Sequence, residues 1–297
     1  MYPHSEVPAT GPWTYGGHVF GLEPLILPSP GEPLTDSPGA ELTLWPAPAP
    51  QGIDVLDADA ERIAWFRWIT GHQVSFVLWR LLDAEVTAVV GGALPDLNDI
   101  ESLPVGAWER YVDGYSAMLL YAGSCSRGMY HRLIRPSMRL QHPSFSGSWA
   151  PDYARVRRLF HDTRVLRQDG TAARLAVAVE AIHRVHLRVA ERLVPEGPSL
   201  LRESPVKRQD WGDTAFLYDN YFLTRRRSVE RRQAVGQLLR RLGAISDDLA
   251  VHGLYPADTG RAEAADPVVR SIENRVAELA RGLIEAMSAD ATFTYTA

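Results

Sequence analysis

The chain has 297 residues, of which 45% are hydrophobic and 23% are charged, and this composition is typical of globular proteins and excludes wholesale disorder or a fibrous repeat. The formal net charge is -5 at pH 7, so no strong positive field attracts a polyanion and nucleic acid is not an expected partner. The one cysteine, Cys125, excludes an intrachain disulfide and any metal centre that needs several cysteines. Histidine or carboxylate must therefore hold any iron.

The N-terminal residues contain neither the basic run nor the continuous apolar segment of a signal peptide. No other stretch approaches the length of a membrane span. We therefore expect a cytoplasmic, soluble protein with no membrane partner.

Residues 1–55 differ in composition from the rest of the chain. The first fifty residues hold 11 of the 21 prolines, and proline removes a backbone donor and fixes φ. This pattern predicts an irregular, extended arm. Large apolar side chains such as Trp13 and Trp45 make the arm too apolar for a free tail. We expect the protein to form a homodimer. Two alternatives stay open for the arm: it packs on the body of its own chain, or it is exchanged with the partner chain.

Residues 56–297 show long helical periodicities and no sustained strand alternation, which predicts one all-α domain. The predicted helices cover residues 57–91, 105–122, 126–140, 151–167, 170–194, 213–243 and 263–288. Gly243 is expected near a helix end, and the arginines at 225–227, 231 and 232 are expected on a solvated helix surface.

Two histidines interrupt apolar stripes. In the helix predicted at 170–194, His186 lies in the middle of the apolar face and His183 lies on its flank. In the helix predicted at 57–91, His72 shares a face with Trp68 and Trp79, so apolar walls surround one titratable group, as in many sites for planar aromatic ligands. Taken alone, each histidine is also explained by a hydrogen bond within the core. Together they favour one shared internal site.

A third segment, residues 123–138, carries arginines at helical spacing. The guanidinium fork suits carboxylates, so one of these side chains could bind an amino-acid carboxylate or a haem propionate. A solvated basic face is the alternative for the others.

These three segments resemble the histidine-ligated, haem-dependent aromatic oxygenases, the superfamily of tryptophan 2,3-dioxygenase. The run WITGHQ at residues 68–73, followed by Leu78 and Trp79, is similar to the distal helix of that family. Residues 124–135 are similar to the stretch whose last arginine, here Arg135, pairs with the substrate carboxylate. Residues 184–189 resemble the proximal helix that bears the iron ligand, which maps onto His186, with His183 as the alternative.

The resemblance implies a tryptophan dioxygenase-like helical domain that encloses a non-covalent, histidine-ligated haem b. The substrate loop of tryptophan dioxygenases, GTGGSSG, is missing, and residues 209–222 differ from it. The short chain, the arm and residues 144–153 are instead similar to haem-dependent L-tyrosine hydroxylases of antibiotic biosynthesis, which implies conversion of L-tyrosine to L-DOPA with hydrogen peroxide.

The roles that the resemblance implies are divided among a few side chains. His72 would move a proton, Arg135 would hold the substrate carboxylate and Arg132 would contact the haem. The side chains expected to pack around or contact the substrate are Trp68, Trp79 and Thr214.

Three other functions remain as alternatives. A dioxygenase that opens an indole ring would act on tryptophan, and a non-catalytic helical binding protein would bind no haem. A di-iron enzyme needs two Glu-x-x-His units, and the sequence offers one, from Glu180 to His183.

Overall fold

The computed structural model describes residues 14–15, 18–19, 24–35, 60–90, 105–163, 171–195, 197–256 and 266–293. Its helices are α1 (Ala60–Val90), α2 (Val105–Ala122), α3 (Arg127–Met129), α4 (Arg135–Gln141), α5 (Tyr153–Thr163), α6 (Thr171–Leu193), α7 (Leu200–Glu203), α8 (Thr214–Tyr221), α9 (Arg231–His252) and α10 (Pro267–Phe293). Its strands are β1 (Thr14–Tyr15), β2 (His18–Val19), β3 (Leu25–Leu27) and β4 (Thr224–Arg226). The all-α prediction is confirmed. Among the described helices, none is both long enough and apolar enough to cross a membrane.

The long helices pack around α2. Helix α2 contacts α1, α6 and α10, and α9 contacts α1 and α10. The helices α1, α2, α10 and α9 therefore form a closed ring, which α6 joins through α2 and α10. The core between them is apolar, and Trp108, Tyr121 and Phe76 are among its fully buried side chains.

Two glycines allow the C-terminal end of α2 to approach its neighbours closely. A Cβ atom at Gly71 of α1 would lie 2.9 Å from the Cβ of Ala122. A Cβ atom at Gly123, just after α2, would lie 2.5 Å from Cγ1 of Val189 in α6. Both distances are shorter than real Cβ contacts, so glycine is required where α1 and α6 meet the end of α2.

The described part of the N-terminal arm contains an extended strand that pairs with another part of the chain. Strand β3 pairs in parallel with β4, with Leu25 opposite Thr224. The side chain of Gln237 in α9 bonds to both backbone groups of Ile26, at 2.8 Å to its N–H and 2.9 Å to its carbonyl. Leu25 and Leu27 are fully buried. Residues 24–35 therefore pack on the body of the same chain.

The single helix predicted at 213–243 is wrong, because the chain leaves the helix after Tyr221 and forms β4 before α9 begins. Leu223 has a φ of 55°, a left-handed conformation that ends α8. Helix α9 then runs through Gly243 and ends at Gly253, whose φ is 65°. Helical periodicity cannot reveal this break, because what stabilises it is pairing with a strand from the other end of the sequence.

The arginine run after α8 is also not a uniformly solvated surface. Arg226 is half-buried and binds the carboxylates of Asp152, at 2.8 Å, and Asp219, at 2.6 Å. The two carboxylates raise the pKa of the guanidinium, although burial opposes this. Arg226 thus joins β4 to α8 and to the start of α5.

Candidate active site

His72 lies on α1 between two aromatic rings. Its ring centroid is 4.4 Å from that of Trp68, one turn earlier, and 4.5 Å from that of Phe222, on which it stacks at an interplanar angle of 22°. Nδ1 lies 2.6 Å from the carbonyl oxygen of Trp68. A carbonyl only accepts, so Nδ1 carries the proton and Nε2 keeps its lone pair. Burial lowers the pKa of His72 to about 4, and the imidazole is therefore neutral at pH 7.

Of the two tryptophans expected beside His72, Trp68 contacts it and Trp79 does not. Phe76 lies between His72 and Trp79, at centroid distances of 6.3 and 5.4 Å. Trp79 packs instead on Tyr115 and Tyr153, each at 5.0 Å. The indole nitrogens of both tryptophans are buried and have no hydrogen-bond partner within the described part of the chain. A polar atom of a ligand could serve either nitrogen.

Arg135 follows a stretch of π-helix, Tyr130–Ile134, that lies between α3 and α4. Pro136 lacks the N–H that an α-helix needs and its ring would clash with the preceding turn, and the wider π turn relieves both problems. The buried guanidinium of Arg135 already has protein partners: Glu203 at 2.7 Å and the carbonyl of Pro198 at 2.9 Å. Arg135 also lowers the pKa of the Tyr130 phenol, against the larger effect of burial, and the Tyr130 ring is 6.0 Å from that of Trp68. Arg135 is thus connected to the His72 cluster through Tyr130.

Arg132 and Thr214 lie at the edge of the structure rather than in this cluster. Arg132 is mostly exposed and pairs at 3.0 Å with Glu61, in the first turn of α1. Thr214 is half-buried and is the first residue of α8, after the N-cap Asp213. One turn further along α8, Tyr218 packs on Phe76 at 5.6 Å.

His186 is exposed, and so is His183, which corrects the expectation that His186 is buried in the core. The predicted apolar stripe is buried at Val179 and Ile182, before His186, and at Leu193, after it. Between them the buried position is Val185, the residue before His186, so His186 lies just outside the buried face of α6. Periodicity identifies the side of a helix that faces the core, but it does not fix the edge of that side to within one residue.

The residues around His186 offer a nitrogen ligand and some apolar surface, both of which a histidine-ligated haem requires. Desolvation and the neighbouring His183 lower the pKa of His186, so the imidazole is neutral at pH 7 and has a lone pair for iron. No hydrogen bond to either imidazole is found among the described residues, and the exposed side chain of Leu187 adds apolar surface beside them. The described residues contain no group of three or more histidine, cysteine or carboxylate side chains that could hold a metal ion, so the di-iron alternative has no centre there.

The described contacts unite His72, Trp68 and Arg135 and leave His186, Arg132 and Thr214 apart from them. Sequence reasoning missed Phe222, because it falls in the interior of the helix predicted at 213–243. It also missed Gln73 and Arg241. The one sequence signal for Gln73 was its position next to His72 in the WITGHQ run.

A family model described as SfmD 3-methyl-L-tyrosine peroxygenase matches residues 30–181, which are 152 of the 297 residues. The match begins after β3 and ends within α6, before His183 and His186, and it contains all of α1 and the segment that bears Arg135. No curated protein matches the chain.

Proposed function

This chain belongs to the SfmD 3-methyl-L-tyrosine peroxygenase family, and from that membership we propose that it is a haem-dependent enzyme that hydroxylates the ring of L-tyrosine at the 3-position to give L-DOPA, with hydrogen peroxide as the oxidant. A peroxygenase is an oxidoreductase, so the chain is an enzyme of that class. Free L-tyrosine as substrate and L-DOPA as product are the finer parts of the proposal. Because the family is named for 3-methyl-L-tyrosine, that compound is the substrate to compare with L-tyrosine in the assay.

The observation that carries the proposal is the neutral, aromatic-lined imidazole of His72 within the family match. Sites for planar aromatic ligands combine apolar surroundings with a few polar groups, and the packing of Trp68 and Phe222 on His72 leaves one hydrogen-bonding nitrogen in such surroundings. A histidine with a pKa of about 4 stays neutral throughout the physiological range. Its Nε2 is therefore available to accept the phenolic proton as the ring reacts.

His186 would hold the haem, and His183 is the alternative ligand. When bound, the haem supplies the oxidising power of the reaction, which no side chain of this chain can supply. Arg132, which is exposed and pairs with the exposed Glu61, would contact a propionate.

The remaining residues would bind and orient the substrate. Arg135 would hold the amino-acid carboxylate in exchange for Glu203, which occupies the same guanidinium at 2.7 Å. Trp68 and Trp79 would pack against the ring, and Thr214 would contact the substrate from the start of α8. This arrangement makes Glu203 a competitor of the substrate.

An absorbance spectrum of protein expressed with added haem tests the cofactor and its ligand. The wild-type protein and the matched control His183→Ala should show a Soret band, and His186→Ala should lose it. If His186→Ala keeps a normal Soret band and His183→Ala loses it, His183 is the iron ligand. A colourless, folded wild-type protein overturns the proposal and favours the helical binding protein.

Product analysis tests the reaction. With peroxide, L-tyrosine should yield L-DOPA, and 3-methyl-L-tyrosine serves as the parallel substrate. If only 3-methyl-L-tyrosine is converted, the proposed reaction stands and its substrate is 3-methyl-L-tyrosine instead of L-tyrosine. Consumption of L-tryptophan with O₂ would favour the indole-opening dioxygenase instead.

A further inference from the structure

We propose that Gln73 and Arg241 are positioning residues that hold the ring of Phe222 against His72, and that this aromatic cover keeps the imidazole oriented for the proposed hydroxylation. The catalytic consequence rests on the proposed function. The positioning itself concerns only residues that the structure describes, so it can be tested on the protein without haem.

Arg241 fixes the orientation of the Gln73 amide. Its Nε lies 2.8 Å from Oε1 of Gln73, and a guanidinium can only donate, so the oxygen of the amide must face it. The amide nitrogen then faces the other way and donates to the carbonyl oxygen of Phe222 at 2.9 Å. Both side chains are buried, with Gln73 3% and Arg241 1% exposed. This bond therefore has one possible direction and no competition from bulk water.

The backbone that carries Phe222 needs such support. Phe222 is the C-cap residue of α8, and the next residue, Leu223, has a φ of 55°. A branched, bulky side chain in this left-handed region costs free energy and persists where surrounding contacts impose it. The contacts here are the Gln73 amide on the Phe222 carbonyl and the backbone N–H of Leu25, which donates to the Leu223 carbonyl at 3.0 Å. The strained turn directs the Phe222 ring onto the imidazole.

Two contacts orient the His72 ring: its stacking on Phe222 and the hydrogen bond from Nδ1 to the Trp68 carbonyl. The elements packed around His72 present the rings of Trp68 and Phe76 from α1 and of Phe222 from α8. None of these side chains titrates, and no charged group in the described part of the chain acts on the pKa of His72. If Phe222 moves away, water reaches the imidazole, and the charged form gains the hydration that burial denies it.

The matched pair of variants is Gln73→Met and Gln237→Met. Each removes a buried glutamine that bonds to backbone groups, but the described side-chain bonds of Gln237 go to Ile26 and not to Phe222 or His72. In Gln237→Met, β3 keeps its main-chain pairing with β4, so the N–H of Leu25 still supports Leu223. Phe222→Leu removes the ring directly and keeps an apolar side chain of similar size. The measurement is a pH titration of the His72 ring by NMR, in haem-free protein with ¹³C-labelled histidine. The signal of His72 is the one that disappears in His72→Gln.

In Gln73→Met and in Phe222→Leu, the pKa of His72 should rise from about 4 towards the ordinary value of 6.5, and in Gln237→Met it should stay near 4. An unchanged pKa in Phe222→Leu overturns the proposal, even if Gln73→Met fails to fold. An equal rise in both glutamine variants also overturns it, because general loosening of the core would then explain the shift.

The loaded enzyme separates this inference from the proposed function. If wild-type protein hydroxylates no tyrosine but the His72 pKa responds as stated, the function fails and the positioning stands. If the enzyme is active, the pH dependence of kcat should shift upward in Gln73→Met and not in Gln237→Met. A fall in kcat without a shift in the pH profile would assign Gln73 a structural role alone.

Discussion

Arg67 and Asp248 form a two-point ion pair inside the helical ring, with Nε 2.7 Å from Oδ2 and Nη2 3.1 Å from Oδ1. The guanidinium also donates to Ser124 at 2.9 Å and to the carbonyls of Gly253 and Leu254. One side chain of α1 therefore binds α9, the end of α2 and the chain that follows α9. The hydrogen bond from His252, the charge and hydrogen bonds of Arg67 and the hydrogen bond from Tyr121 hold the pKa of the Asp248 carboxyl below its usual value despite burial.

Replacing Arg67 with Met should destabilise the fold by about 3–5 kcal/mol, because Asp248 is left as a buried charge without its cation. Tyr121 and His252 still bind the carboxylate, at 2.6 and 3.0 Å, and reduce the loss. Urea denaturation measures the change. The matched control is Arg275→Met, which removes an exposed arginine paired with Glu278 and should cost less than about 1 kcal/mol. Equal losses in the two variants would contradict the role given to the buried pair.

Replacing Gly71 with Ala should also destabilise the protein, by about 1–3 kcal/mol, since the new methyl group would meet Ala122 at 2.9 Å. The matched control is Gly282→Ala in α10, where a Cβ atom has nothing within 4 Å. That change should stabilise the helix by up to about 1 kcal/mol, because alanine is the better helix former. Thermal unfolding of both variants measures the contrast, and a stabilised Gly71→Ala protein would refute the close contact.

Acid should destabilise the protein through His72. Its pKa is about 4 in the folded protein and 6.5 ordinarily, so between these values the unfolded chain binds more protons. The stabilising contribution is complete above pH 6.5 and is lost as the pH falls towards 4, with a total on the order of 3 kcal/mol. His72→Gln removes this contribution. The difference in free energy of unfolding between wild type and variant should therefore change over that interval, and a constant difference would show that His72 is not desolvated.

Asp113 should act in the opposite sense. Burial, and then the charge of Glu109, raise its pKa to about 6, while Arg275 opposes the rise. Between the ordinary value of 3.8 and pH 6 the folded protein binds more protons, so this contribution to stability is lost as the pH rises. Asp113→Asn should stabilise the protein at pH 7.5 by about 1–2 kcal/mol and by much less at pH 4. Denaturation of both proteins at the two pH values checks this, and an equal effect at both would exclude titration of Asp113 as the cause.

Local patterns in the sequence predicted α1, α2 and α6 to within a few residues, because each helix carries its own apolar stripe. These local patterns could not predict contacts between segments that are far apart in the sequence. The break at Phe222 depends on strand β3, and the pairing of Arg135 with Glu203 depends on how α7 packs beside α4. The candidate site shows the same difference between local and non-local contacts. Trp68 lies one helical turn from His72 and was predicted beside it, whereas the second wall, Phe222, comes from a segment 150 positions away.

The hydrogen bonds from the Gln237 side chain to Ile26 in β3 have a consequence for the order in which the chain folds. Ile26 and its partner Gln237 are 211 positions apart, so a ribosome releases the strand long before it makes the helix that receives it. Contacts of such long separation form late, because the loop between them costs conformational entropy until the intervening elements are in place. Until α9 exists, the apolar side chains of Leu25 and Leu27 have no core to enter and are exposed to other nascent chains. Strand β3 is thus synthesised early, but it reaches its buried position only after α9 has formed.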